Sequence, residues 1–408
     1  MTTYRLLLAS CLLFGAACAE EEAVPSEPAE PAEPAAVTID VTRRTTDGMT
    51  AVRNLDLSVD GARAHFERIG SPLTRSRLIG LLDLRAAMTG AYDDFRELDE
   101  LTAAGIDRPE PSSSALLERA GYLSAVHRFE ESRAMLDRAE AAGASATSTR
   151  GERLIIDLAL GRDPSELLPI ARAMLDERPD FDSHARLAGV LAALGRFEEA
   201  DAEYRAALAS YDDVAPFPVA WNAFQRGVMW AESADRPDLA RPLYEEAVRR
   251  LPVYVVANVH LAELEATSGE VDTARARLRT LVDRGAEDPE PAGYLGELGV
   301  DDAGALIAQA AARYEVLLGR HREAFADHGS EFFAGPGGDP ARGLELALFN
   351  LENRRNARAY VVAIEAAGAA GEEQRACDLA LEAEPYAERH PVLRHLVTEI
   401  RSACPSGA

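Results

Sequence analysis

Four residues recur at a fixed distance. Arg128-Phe129-Glu130-Glu131 returns as Arg196-Phe197-Glu198-Glu199, 68 positions later. That interval is twice 34. A 34-residue frame opened at Phe181 puts Ala188 at position 8, Gly195 at 15, Ala200 at 20 and Ala207 at 27. Phe197 and Tyr204 take positions 17 and 24. Small residues at such steps let two helix axes approach within about 8–10 Å. A unit this short cannot bury its apolar face alone and must stack on its neighbours.

The frame runs both ways. A unit from Trp221 sets Ala240, Tyr244 and Ala247 at positions 20, 24 and 27, and Pro252 closes it. The unit from Val255 supplies Ala262, Gly269, Ala274 and Leu278. Upstream, the unit from Ser113 supplies Ala120, Phe129, Ser132, Leu136 and Ala139, and weaker units open at Ser148 and Ser76. Downstream the match fades, but helical hairpins opening near 291, 324 and 357 keep the spacing. Asp302 stands where a helix would be N-capped, and GPGG (335–338) and Gly371 read as turns between helices. A last amphipathic helix from His390 to Arg401 has no partner, as expected of a segment that caps a solenoid.

These positions resemble the tetratricopeptide repeat (TPR), in which each unit is a pair of antiparallel helices. The resemblance covers 113–285 best and extends over 76–112 and 286–403. It implies an all-α superhelix of stacked hairpins. Residues 37–75 are expected to be partly helical; the alternation of Val37, Ile39 and Val41 fits a strand or more linker.

Charge narrows the partners. The net charge is −26 and every basic side chain is arginine. An acidic field repels nucleic acid and anionic lipid head groups. The absence of lysine excludes a P-loop phosphate clamp, a Schiff-base amine and a Ser-Lys nucleophile pair. It also argues against the lysine-dependent carboxylate clamp of chaperone-binding TPRs.

The amino terminus reads as a targeting segment (1–17): Arg5 precedes an apolar run, Leu6 to Ala17, too short to span a bilayer. Ala17-Cys18-Ala19 fits a signal-peptidase site that would release a soluble protein. Gly15-Ala16-Ala17-Cys18 resembles a lipobox that would make Cys18 the lipid-bearing first residue. Leu8-Ala9-Ser10-Cys11 matches that pattern more closely, but leaves too short an apolar run before it. Residues 18–36, rich in Pro and Glu, should form an extended, solvated tether. Ala19 in place of aspartate resembles the outer-membrane sorting signal of enterobacterial lipoproteins.

Cys377 and Cys404 remain. In an oxidising compartment they could pair. A hairpin turning near Ala387 would set Cys377 opposite residue 397, with Cys404 about 10 Å beyond, so two free thiols stay the alternative.

The TPR resemblance implies a concave groove lined by positions 2, 5, 9, 12 and 13 of each first helix. Here these include Asn222, Gln225, Met229 and Glu232, then Val256, Val259 and Glu263. The unit before them offers Asp182, Ala185, Gly189 and Ala192. Such a wall suits an extended or helical partner segment with apolar anchors.

No cofactor or metal is expected. His390 and His395 are five apart, off the single face that a metal pair needs. GPGG has no strand before it to make a dinucleotide cradle. The expected function is a non-catalytic adaptor of the bacterial cell envelope, lipid-anchored to the outer membrane on its periplasmic side and binding another envelope protein. The alternatives are a soluble periplasmic binder of peptides or glycans, and an enzyme or accessory subunit using His321, His328, Glu331 and Asp339.

Overall fold

The computed structural model describes residues 37–404. The targeting segment, Cys18 and the Pro/Glu stretch lie outside them. All regular structure among the described residues is helical, in twenty helices. The first, α1 (Gly48–Ile69), precedes nine hairpins. These are α2 (Pro72–Thr89) with α3 (Asp94–Ile106), α4 (Ser113–Ala125) with α5 (Phe129–Ala141), and α6 (Ala146–Ala159) with α7 (Pro164–Glu177). Next come α8 (Phe181–Ala193) with α9 (Phe197–Ser210), α10 (Pro216–Val228) with α11 (Pro237–Arg250), and α12 (Val255–Thr267) with α13 (Val271–Asp283). The last three are α14 (Glu290–Glu297) with α15 (Ala303–Arg320), α16 (Arg322–Ala334) with α17 (Pro340–Asn353), and α18 (Ala357–Ala369) with α19 (Glu373–Ala387). A single helix, α20 (Pro391–Ala403), closes the stack against α18 and α19.

The repeat chemistry is visible in the packing. Ala188, Ala200, Ala207, Ala240, Ala247, Ala262 and Ala274 are all fully buried where helices meet. Tyr204 and Tyr244 fill the space between. The recurring Arg-Phe-Glu-Glu has one geometry in both places. The phenylalanine opens the second helix facing inward, and the arginine before it closes on the second glutamate, Arg128 on Glu131 and Arg196 on Glu199, each at 2.6 Å. Helix starts take the expected small caps: Ser112 Oγ accepts from Ala115 N and Asp180 Oδ1 from Ser183 N.

Three local expectations change. The helix of the unit framed from Trp221 opens earlier than that frame: α10 begins at Pro216, and a π-helical turn, Met229–Ser233, continues it. Asp302 does stand at the N-cap of α15, but its carboxylate turns to Arg279 (2.5 and 2.8 Å) and makes no capping bond. Residues 37–47 are neither strand nor free linker. They lie as a strap across the middle hairpins, with Thr46 N–H donating to Val214 O (2.8 Å). Arg226 reaches Thr38 O (3.1 Å) and Arg250 reaches Arg43 O (2.7 Å), so two buried guanidiniums hold the strap by its carbonyls.

Cys377 and Cys404 form a disulfide with Cα atoms 6.0 Å apart. The turn between α19 and α20 falls at 388–390, later than the sequence suggested. That moves the residue facing Cys377 to about 401, and the extended backbone at Cys404 covers the rest.

The superhelix is wound tightly enough for one turn to lie on the next. Tyr92 Oη donates to Asp288 (3.0 Å), 196 residues away, and the imidazole of His127 donates to Glu323 O (3.3 Å) at the same separation. Asn356 donates to Ala159 O (3.1 Å) across 197 residues, and Arg389 pairs with Asp163 (2.9 Å) across 226. Gly161 (φ 78°) faces Arg355 so closely that a Cβ there would sit 1.8 Å from its carbonyl oxygen. An open central groove therefore does not form along the middle of the stack.

Candidate axial charge cluster

Because successive turns close on each other, the first helices of the later units point their inner faces at a narrow axis. The π turn after α10 aims Glu232 into it. His260 and Glu263, one turn apart on α12, face Glu232: His260 Nδ1 is 3.3 Å from each carboxylate. His328 and Glu331 share a face of α16. His328 Nδ1 lies 2.7 Å from Glu290 of α14 and 3.7 Å from Glu331. Arg358, in the first turn of α18, joins the two groups: it pairs with Glu331 at 2.6 Å and approaches Glu232 at 3.9 Å. Asp327 pairs with Arg354 at the flank.

The electrostatics follow from burial and proximity. Desolvation opposes a charge on His328, yet Glu290, Asp327 and Glu331 hold its pKa well above the ordinary imidazole value. His260 is raised too: burial opposes the charge, and Glu232 and Glu263 outweigh it. Burial would raise Glu232, but Arg358 and His260 keep it below the usual carboxylate range. Asp288 goes the other way, raised by burial and by the charge of Glu290. His390 is pushed down to about 4 by burial.

Two cavities open beside this cluster. One, of about 90 Å³, lies among α14, α15, α16 and α18. The other, about 70 Å³, lies between Tyr244, His260, Arg358 and His390. A wider cleft of about 550 Å³ opens between the two superhelical turns; Gly189 and Ala192 of α8 face Arg358, Tyr386 and Arg389 across it.

The expected groove residues divide accordingly. Asn222, Met229 and Val259 are buried. Asn222 donates to Tyr204 O (3.0 Å) as a structural brace between hairpins. Gln225 and Val256 are half-buried, and Glu232 and Glu263 belong to the axial cluster. In the preceding unit Ala185 is buried and Asp182 is turned toward Arg186 (4.0 Å).

The four residues of the enzyme alternative do not converge. His328 and Glu331 meet on the axis. His321 packs edge-on against Phe95 and Tyr122, with ring centroids 5.6 and 6.5 Å away. Asp339 caps α17, accepting from Arg342 N (3.1 Å). His390 Nδ1 caps α20 through Leu393 N (3.2 Å), while His395 pairs with Asp235 (2.7 Å), so these two histidines serve separate places. Among the described residues no group of three or more His, Cys, Asp or Glu is placed to hold a metal ion.

Glu290, His260 and Arg358 were missed by sequence reasoning. The signal for Arg358 was available: it is position 2 of the unit opening at 357, just as His328 is position 5 of the unit opening at 324. Carrying the inner-face positions into the divergent units would have found Arg358 and set His328 on the same face. Glu290 and His260 lie off that set of positions.

Hairpins of paired helices stacked at a near-constant interval, closed by buried alanines at the expected positions, make this an α-solenoid of tetratricopeptide-repeat type. Solved structures with which it shares likeness include the APC/C hetero-tetramer Cut9-Hcn1, at 13% identity and TM-score 0.47, covering 87% of this chain and 68% of that one. A tetratricopeptide repeat protein from Parabacteroides merdae aligns at 16% identity and TM-score 0.35, over 75% and 98%. Yeast Tom70 aligns at 13% identity and TM-score 0.34, over 87% and 94%. No family model and no curated sequence matches the chain.

Proposed function

We propose that this chain is a non-catalytic interaction scaffold of the bacterial cell envelope, tethered by lipid at Cys18 to the periplasmic side of the outer membrane. One observation carries the envelope part of this reading. A disulfide between Cys377 and Cys404 ties the last two helices together, and such bonds persist in oxidising compartments outside the cytoplasm. The apolar leader and the Pro/Glu stretch after it agree with export and tethering. The scaffold part follows from the architecture: stacked hairpins expose a long surface relative to their core, and solenoids use such surfaces for binding. The partner is another envelope protein. Its segment enters the cleft between the superhelical turns, where Gly189 and Ala192 give a floor of small residues.

Two measurements test this. Radioactive palmitate should label the wild type and not Cys18→Ala; equal labelling removes Cys18 as the anchor. A mature protein starting at Glu20, without lipid by mass, would instead favour a soluble periplasmic binder. Pull-down from detergent-solubilised envelopes should recover a partner with wild type and lose it with Ala192→Trp, which fills the cleft; a partner retained by Ala192→Trp binds elsewhere.

A further inference from the structure

We propose that the path the strap follows over α9, α10 and α11 is a docking groove for an extended, arginine-bearing segment of another protein, and that residues 38–46 fill it in cis as a displaceable clasp. The first ground is that this groove reads main chain. Arg226 donates to Thr38 O (3.1 Å), and Arg250 donates to Asp40 O (3.3 Å), Arg43 O (2.7 Å) and the hydroxyl of Thr45 (3.2 Å). Any extended segment carries carbonyls at such intervals. The donors do not need the strap to hold them in place. Arg226 Nε is fixed by Asp201 (2.9 Å) and Arg250 Nε by Glu246 (2.7 Å), and both carboxylates are buried. Lifting the strap leaves these preorganised N–H groups aimed along the same line, where the carbonyls of a second segment can meet them.

The second ground is how little the strap's own side chains contribute. Val37 and Ile39 are half-buried against the core, while Thr38, Asp40 and Val41 are exposed. No residue from Val37 to Asp47 is fully buried. One side chain reaches back: Arg43 donates to Leu208 O (2.6 Å) and Tyr211 O (2.7 Å), at the negative carboxyl end of α9. That is a light hold on eleven ordered residues, and it defines what can replace them. The occupant is extended, points a branched apolar residue inward where Ile39 lies, and carries an arginine four places later.

The third ground is charge. A chain with a net charge of −26 draws a basic segment toward it. The groove shares none of these contact residues with the cleft between the superhelical turns. The inference goes beyond the scaffold reading and stands without it.

The experiment follows a fluorescent peptide of residues 37–47 by anisotropy as the full chain is added. Ile39→Asp in the chain loosens the clasp and leaves the groove as it is. That variant should bind the peptide about tenfold more tightly than the wild type, because more of it has the groove free. The peptide carrying Arg43→Gln should bind about tenfold more weakly, and its all-D mirror should not bind. No binding to either chain, equal binding to both, or equal binding of the mirror peptide overturns the proposal, whatever an envelope pull-down recovers. A wild-type dimer that the free peptide separates gives the groove to a second copy's strap and overturns the assignment to another protein. Hydrogen exchange of the wild type supplies a reading that needs no variant. The Thr46 amide, which donates to Val214 O (2.8 Å), should exchange at least about tenfold faster than amides within α9. Equal protection overturns the clasp.

Discussion

At the scale of single residues, this fold rests on side chains that stay small. Ala200 and Ala240 are fully buried between the two helices of their hairpins, whereas Ala202, on the same helix as Ala200, is exposed. Ala200→Leu and Ala240→Leu should each cost about 1–3 kcal/mol by overpacking. Ala202→Leu should change stability by less than about 0.5 kcal/mol. Urea denaturation of the three variants checks the register; equal effects would mean the frame is misplaced. These positions were legible in the sequence because a close helix contact tolerates few residue types. The paired arginine and glutamate of the recurring motif were legible as a recurrence, but not as an ion pair. Asn222, Met229 and Val259 were read as groove residues because position in a unit says which way a side chain points. It does not say what the rest of the chain lays over it.

At the scale of the element, hairpin spacing was readable and hairpin ends were not. The helix before Asp235 starts five residues ahead of the frame at Trp221 and carries a π turn. No periodic pattern announces an extra residue absorbed inside a helix. The same limit applied to the last hairpin, where a turn two residues later brought the cysteines into reach. Their bond closes a loop with a sequence separation of 27. By the chain-entropy account it stabilises this end by about 3–4 kcal/mol. Reduction, or Cys404→Ser, should loosen α20 first. Hydrogen exchange should show amides of α20 losing protection while those of α8 keep theirs; uniform change across the chain would mean the bond stabilises the solenoid as a whole.

At the scale of the molecule, the contacts between superhelical turns decide the shape. Gly161 and Gly371 both adopt positive φ at hairpin turns (78° and 71°), but only Gly161 meets the next turn of the superhelix. Gly371→Ala should cost only the left-handed backbone penalty, about 1–2 kcal/mol. Gly161→Ala should cost that and a further 1–3 kcal/mol or so, because the Arg355 carbonyl must give way. Comparable denaturant midpoints for the two would show that the turns are not in firm contact.

The axial charges give the same closure a pH signature. His328 has a raised pKa in the folded state, so its stabilisation is complete below about 6.5 and is lost as pH rises through the raised value. His127 and His390 have folded values near 4. They favour the fold above about 6.5 and withdraw that support as pH falls toward 4. Melting temperature should therefore decline on both sides of near-neutral pH. His260, raised as well, adds to the alkaline side, so His328→Gln should make that side shallower without removing it and leave the acid side as it is; an unchanged alkaline slope would place its cause elsewhere.

Stacking one turn of the superhelix on another also restricts how such a protein can change its length. An open array of repeats can gain or lose a unit anywhere, because each touches only the two beside it. Here the loop at Tyr92 is matched to Asp288, and the loop at His127 to Glu323, at one shared separation of 196 residues. Excising a hairpin from between them would leave every later loop facing the wrong counterpart. Duplication and deletion are therefore confined to the two tips of the stack, and the number of units in the middle is as fixed as the number of strands in a closed barrel.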